Sequence, residues 1–263
     1  MELNWAARSD VGMIRSGNED NFFAEANPAR GLFIVADGMG GHAAGEVASE
    51  MAVQIVAREL NAIKDLHAAD TDQKVMAALR HANLAIYERT ISEVDKQGMG
   101  TTVSLLLLAG RRYLIGQVGD SRIYLVRDGA LRQLTKDHSY VQEQVDAGYL
   151  TPEQARYHPY SNVITRCVGA SDDVEPDTYA GEMRPGDLYL VASDGLTGMV
   201  DDRRLHQLLV SRATPERIVD ALISEANGRG GLDNITAVLV KVVAVDGGDE
   251  SRTVETPAFR PNG

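Results

Sequence analysis

Cysteine is almost missing from this chain, and that scarcity already excludes several chemistries. Cys167 is the only one in 263 residues, so no disulfide framework can form within the chain, and the composition fits a reducing cytosol. Thiol phosphatase chemistry is excluded too, because the loop after Cys167, "CVGASDD", has no arginine to cradle a phosphate. The residue reads as a small buried apolar group. Long apolar runs are lacking: the longest, around "VSLLLLAG", is far too short for a bilayer, and no signal peptide is evident. A soluble cytoplasmic protein with no membrane partner is therefore expected. Positive charge is scarce, with 26 Lys and Arg against 38 Asp and Glu and a net charge of −12. Nucleic acid is thus no partner, since its phosphates demand basic patches. A Gly-x-Ser-x-Gly nucleophile elbow, a Walker-type glycine loop and an internal repeat are likewise absent.

What is present is a set of aspartates where apolar strands meet glycines or turns. Asp37 closes "GLFIVADGMGGH", Asp120 closes "YLIGQVGDSR", Asp194 closes "DLYLVASDGL" and Asp233 opens "GGLDNITAVLV". Asp-Gly alone is a common turn dipeptide. A strand, however, gains nothing from a terminal carboxylate, and four such positions together ask for another explanation. In an antiparallel sheet the ends of some strands lie beside the beginnings of others, so three exits and one entrance can share an edge. Carboxylates gathered there repel one another unless a cation neutralises them. Oxygen ligands without a supporting His/Cys cluster favour Mg²⁺ or Mn²⁺ over zinc. Gly38, after Asp37, leaves its carbonyl free to approach a cation.

A second segment, "DVGMIRSGNEDN", holds Arg15, Asn18, Glu19 and Asp20. Arginine offers a planar fork that matches a phosphate, and adjacent carboxylates can orient water near a metal. Followed in order by "DGMGGH", "VGDSR", "SDGL" and "GLDNIT", this segment resembles the metal-dependent type 2C serine/threonine protein phosphatases over roughly residues 3 to 243.

The resemblance implies a role for each matching residue. Asp37 bridges two metal ions, Gly38 offers a carbonyl ligand to one, and Asp194 and Asp233 are ligands of the other. Asp120, with Asp194, holds a third and weaker ion. Arg15 binds the substrate phosphate, and Glu19 and Asp20 form the acidic pair that orients metal-bound water. Asn234 supports Asp233. Attack by a metal-bridging water would then hydrolyse phosphoserine or phosphothreonine without a phosphoenzyme. Where some relatives have a histidine directly after the Asp-Gly, this chain has Met39, with His42 displaced along the loop. The leaving-group proton is left to His42, a metal-bound water or solvent, and His42 equally suits a loop-fixing role. Expected partners are phosphorylated proteins and an opposing serine/threonine kinase, with the chain acting as a monomer. Alternatives are a catalytically weak relative that binds phosphoproteins, or a phosphatase dedicated to one signalling substrate.

With 44% hydrophobic residues the chain can bury a full core as a single large domain, residues 1–245. Alternating and continuous apolar runs predict strands at about 3–9, 21–25, 31–36, 101–109, 112–118, 121–127, 187–193 and 235–243. Helical spacing predicts helices near 44–61, 72–96, 139–147, 152–156, 201–210 and 215–228, the last two with start signals at Asp201 and Thr214-Pro215. Strands in hairpin succession with helices grouped elsewhere give an α+β protein of two packed antiparallel sheets flanked by helices; the resemblance makes this a four-layer αββα sandwich. It also implies a flap insertion at about 136–180, with His138, His158, Ser161 and Arg166, and both histidines read as surface or packing groups. Residues 246–263, rich in Gly, Pro and charge, read as a disordered tail in which Thr253 and Thr256 could be modified.

Overall fold

Strands that read as unbroken apolar runs do so because each of their faces meets a different core. In β3 (Arg30–Met39), Leu32, Ile34 and Ala36 face helices α1 (Ala44–Leu60) and α2 (Thr71–Ser92). Phe33 and Val35, on the opposite face, enter the space between two sheets. The same period-two division splits β5 (Val103–Ala109), with Leu105 and Leu107 toward the helices and Leu106 and Leu108 toward the sheet interface. In the second sheet, β10 (Leu188–Ala192) and β11 (Ile235–Ala244) send Leu190 and Leu239 toward helices α6 (Asp202–Leu209) and α7 (Pro215–Gly228). Val191 and Val238 complete the middle core. Three apolar cores thus separate four layers, helix, sheet, sheet and helix, as the sequence predicts.

The computed structural model describes residues 1–40, 44–63, 65, 66, 68 and 70–245. His42, and the tail 246–263 with Thr253 and Thr256, lie outside the described residues. The remaining strands are β1 (Glu2–Asp10), β2 (Asp20–Ala26), β4 (Gly100–Thr101), β6 (Arg112–Val118), β7 (Arg122–Arg127), β8 (Ala130–Gln133) and β9 (Asp177–Glu182). Short helices α3 (Tyr140–Asp146), α4 (Pro152–Arg156) and α5 (Asp194–Thr197) complete the set. One sheet has the order β1-β11-β10-β7-β8, the other β2-β3-β5-β6-β9 with β4 paired to β3. No helix among the described residues is long and apolar enough to cross a membrane.

Two expectations shift, and one element was not foreseen. Asp37 does not close its strand: β3 continues to Met39, because β4 pairs Thr101 with Gly38 and Gly100 with Met39. Residues 177–182, at the end of the expected 136–180 flap, form β9 along the edge of the sheet, paired to β6, so the segment between β8 and β9 spans 134–176. The strand "DTYAGE" is only half-buried and carries Gly181, over which the Tyr113 ring lies, so its sequence lacks a strand's apolar alternation. Helix α5 is a four-residue turn directly after β10, too short to show a helical period.

Leu106 is fully buried between the sheets, so Leu106→Ala leaves a cavity that backbone on both sides cannot close. We expect it to lower unfolding free energy by about 2–5 kcal/mol, whereas exposed Val243→Ala on β11 shifts it by roughly 0.5 kcal/mol or less. Urea unfolding of the two variants checks the contrast; equal losses would deny the middle core its importance.

Candidate active site

The two sheets bring the four aspartates singled out in the sequence to one end of the sandwich, and add Asp20. Asp20 and Asp37 are cross-strand partners in β2 and β3. Asp120 sits in the turn where the chain leaves β6 in one sheet for β7 in the other. Asp194 heads α5 immediately after β10, and Asp233 lies two residues before the neighbouring strand β11. Asp20 and Asp120 are each only 6% exposed, while Asp37, Asp194 and Asp233 keep some surface open, as a site that must admit a ligand requires.

Burial and mutual repulsion hold these carboxyls in the wrong state for ordinary aspartates. Burial, then Asp20 and Asp194, push the Asp37 pKa well above its usual value. Burial, then Asp194 and Asp137, do the same to Asp120, with Arg122 opposing. Asp194 is raised chiefly by burial and further by Asp233. Asp20 is pushed up to about 7 by burial, against the lowering effect of bonds from Thr236 and Ser193. Asp37 and Asp194 stand close enough to perturb one another, and two ionised carboxylates so placed repel unless a proton or a cation intervenes. Buried oxygens Asp20 Oδ1, Asp120 Oδ1 and Asp194 Oδ1 have no hydrogen-bond partner, an expensive condition in a native interior. Among the described residues no three Asp, Glu, His or Cys groups are already gathered as a ligand set. The carboxyls share unbalanced charge rather than finished coordination geometry. Orphaned oxygens, an all-oxygen donor set and repelling carboxyls fit hard divalent cations.

The backbone around these groups is fixed by small polar side chains. Asp37 N–H donates to Thr102 Oγ1 (2.9 Å), Thr102 N–H and Thr101 Oγ1 donate to the Asp37 carbonyl (both 2.9 Å), and Thr102 Oγ1 meets Ser121 Oγ (2.8 Å) beside Asp120. Asp20 Oδ2 accepts from Ser193 Oγ (2.8 Å), just past β10, and from Thr236 Oγ1 (2.6 Å) on β11, joining β2 of one sheet to the other sheet. Asn18 continues the chain of donors through Ser9 to Thr236. A Cβ at Gly38 would lie 2.2 Å from the Gly45 carbonyl and 2.6 Å from that of Glu19, so only glycine lets β3, α1 and the Glu19 strand entry meet. The Glu19 carboxylate itself rests against Gly45 in the first turn of α1.

Two residues have partners other than those expected. Asn234 meets Asp233 through its backbone N–H (2.8 Å), while its side chain accepts from Glu19 N–H (2.8 Å) and donates to the Val11 and Gly17 carbonyls (both 2.9 Å). It therefore pins the whole Arg15 loop. Arg15 Nη2 donates to Asp233 Oδ2 at 2.7 Å, with side chains 52% and 35% exposed respectively. Arg122 clamps Asp137 through two nitrogens (2.7–3.0 Å) beside the Asp120 turn. His138, expected at the surface or in packing, is buried against that turn, its pKa lowered by burial and then by Arg166. His158 does pack, in a triangle of rings with Tyr140 and Tyr160. Thr102, Ser121, Ser193, Thr236 and Gln117 escaped the sequence reading. Their one signal is polarity at positions the apolar pattern would otherwise fill.

Comparison with known proteins gives a consistent picture. A family model described as protein phosphatase 2C matches residues 14–230. The serine/threonine protein phosphatase PstP of Mycobacterium tuberculosis is 43% identical over 246 residues, covering 94% of this chain but 46% of that protein, so the chain spans about half the length of that relative. The serine/threonine phosphatase stp of Listeria monocytogenes is 41% identical over 238 residues, covering 89% of this chain and 94% of the relative. A crystal structure of the PstP catalytic domain in complex with two manganese ions superposes with a TM-score of 0.82 at 41% identity, covering 92% of this chain and 99% of that one.

Because these carboxyl pKa values are raised, the metal-free fold binds protons that the unfolded chain releases. The stability these carboxyls contribute is then full below the ordinary aspartate value of 3.8 and is lost as pH rises toward and through about 7, the value for Asp20. We expect the melting temperature of the chelated protein to fall between about pH 5 and pH 8, with a loss on the order of a few kcal/mol. Added Mn²⁺ should stabilise more at the higher pH. Calorimetry across that range in chelator and in Mn²⁺ decides it: a chelated protein that gains stability with pH would contradict the charge cluster.

Proposed function

The chain belongs to the protein phosphatase 2C family, and we propose that it is a metal-dependent phosphoprotein phosphatase acting on phosphoserine and phosphothreonine. One observation carries the proposal: aspartates drawn from both sheets crowd together with unpartnered buried oxygens beside an exposed arginine. Asp37, with Asp194, Asp233 and the Gly38 carbonyl, would hold two Mn²⁺ or Mg²⁺ ions, and Asp120 with Asp194 a third. When bound, these ions neutralise the carboxylates and acidify the water that attacks phosphorus.

The chain's own groups do the rest. Arg15 keeps N–H groups beyond the one on Asp233, and its fork would bind phosphoryl oxygens and balance the charge that grows on them in the transition state. Asp233 Oδ2 accepts from Nη2 at 2.7 Å and so parks the fork beside the carboxyl cluster. Asp20, with Oδ2 fixed by Ser193 and Thr236, can offer only Oδ1 to a water, so its direction is set before substrate arrives. Glu19 completes the acidic pair. Met39 has no proton to give, so the leaving oxygen takes its proton from His42 or water. A single cysteine supports a cytoplasmic setting, where the enzyme would act as a monomer opposing a serine/threonine kinase.

Asp37→Asn and Asp233→Asn keep shape but lose the charge that retains cations. Each should remove nearly all activity on phosphothreonine peptide, as should chelation; full turnover in excess chelator would sink the metal reading.

For Arg15→Ala, which deletes a charge-assisted contact of about 1.5–3 kcal/mol, kcat/KM should drop roughly 10- to 100-fold while Mn²⁺ affinity does not fall, because Asp233 loses a competing cation. Steady-state kinetics beside a Mn²⁺ titration tests this, and an unchanged kcat/KM would remove Arg15 from substrate binding.

A further inference from the structure

The turn that carries Asp120 cannot hold itself. Gly119 adopts φ +103°, a region that favours glycine, and a Cβ there would lie 2.5 Å from the Thr102 methyl carbon. Its peptide groups are buried and must find partners elsewhere. From inside the sandwich, Gln117 Nε2 donates to the Gly119 carbonyl (3.0 Å) and to that of Ser121 (2.7 Å). From the other side His138 grips the same glycine twice. Its backbone N–H donates to the Gly119 carbonyl (2.9 Å), and its ring Nδ1 accepts the Gly119 N–H (3.1 Å).

An accepting Nδ1 carries no proton, so the ring hydrogen sits on Nε2, which faces Asp177 Oδ2 at 3.3 Å. Arg166 Nη1, 3.2 Å from Nε2, is a donor as well and cannot bond to it in this tautomer. It donates instead to Asp177 Oδ1 (3.0 Å) and to the Glu175 carbonyl (2.8 Å). Asp177 thereby receives both groups and fixes the ring's tautomer and plane, the arrangement by which outer groups orient ligands at metal sites.

We propose that His138 is a positioning residue for Asp120: its Nδ1 anchors the Gly119 amide and so sets the direction in which the next residue's carboxylate faces Asp194. The inference rests on the reading of Asp120 as a carboxylate that shares an ion with Asp194. A merely structural histidine would serve by volume and by its bond to Asp177. A positioning histidine serves by the acceptor on the Gly119 side.

Two isosteres separate these roles in the 263-residue chain. His138→Asn places an acceptor oxygen where Nδ1 stands; His138→Gln places its amide where Nε2 stands and leaves the Gly119 N–H without a partner. Mn²⁺ titration by calorimetry, kcat and KM on a phosphothreonine peptide, and melting temperature are measured for both, alone and with Asp120→Ala. Expected for His138→Gln is a loss of about 10- to 100-fold in affinity for the more weakly held Mn²⁺ and in kcat, with KM little changed. His138→Asn should stay near the parent, and His138→Gln should add nothing further to kcat or Mn²⁺ binding once Asp120 is Ala. The proposal is overturned if Gln performs as well as Asn, or if the Gln effect on kcat adds in full to that of Asp120→Ala. If Asp120→Ala alone leaves Mn²⁺ binding and kcat untouched, the reading of Asp120 fails and the proposal with it, a failure visible without any His138 variant.

Discussion

Unbalanced negative charge at the junction of two sheets is the constraint on which the rest of this structure depends. Five aspartates, Asp20, Asp37, Asp120, Asp194 and Asp233, interact through surroundings poor in water, and three of their oxygens are buried without partners. Such a cluster opposes folding at neutral pH, because each ionised group raises the energy of the next. The fold tolerates it at one end of the sandwich, where three apolar cores supply stability elsewhere. Stability given up locally in this way is the usual mark of a functional site.

Crowded charges would spread apart unless their backbones were held. Asp37 is held through Thr101 and Thr102, Asp120 through Gln117 and His138 on Gly119, Asp233 through Arg15 and the Asn234 amide, and Asp20 through Ser193 and Thr236. Most of these supports are buried hydroxyls or amides whose hydrogen bonds gain strength where water is excluded. Several cross from one sheet to the other, as from Asp20 on β2 to Thr236 on β11. The two sheets are therefore joined by the site as well as by the apolar core between them.

That division explains what the sequence made legible. Period-two burial of β3, β5 and β11 and helical spacing in α1 and α2 are written in apolar residues, so the layers could be read directly. The aspartates stood out because they broke that apolar pattern. Edge strand β9 did not stand out, since one exposed face and Gly181 erase its alternation. Thr102, Ser121, Thr236 and His138 were illegible for another reason. Each is useful only through a partner far away in the chain, as when Asp20 meets Thr236 across 216 positions, and no local spacing encodes such a meeting. Asn234 was noticed for its neighbour, yet its side chain serves the loop at Val11 and Gly17 instead.

The contrast between buried and exposed charges bears on how the site would change partners. The Arg15–Asp233 pair is 52% and 35% exposed, so water and salt screen it, and such a pair contributes on the order of 1 kcal/mol or less. Asp37 and Asp194, set among other carboxyls where water is scarce, interact far more strongly. Exchange of partners therefore costs least at Arg15, whose guanidinium can pass from a carboxylate to a phosphoryl group of like charge and geometry with little net change. The loop that carries it is pinned at both ends by Asn234 and by the Met13 amide on the Gly231 carbonyl (2.8 Å). Movement is thus confined to the side chain, which leaves one adaptable guanidinium beside carboxyls whose backbones are fixed.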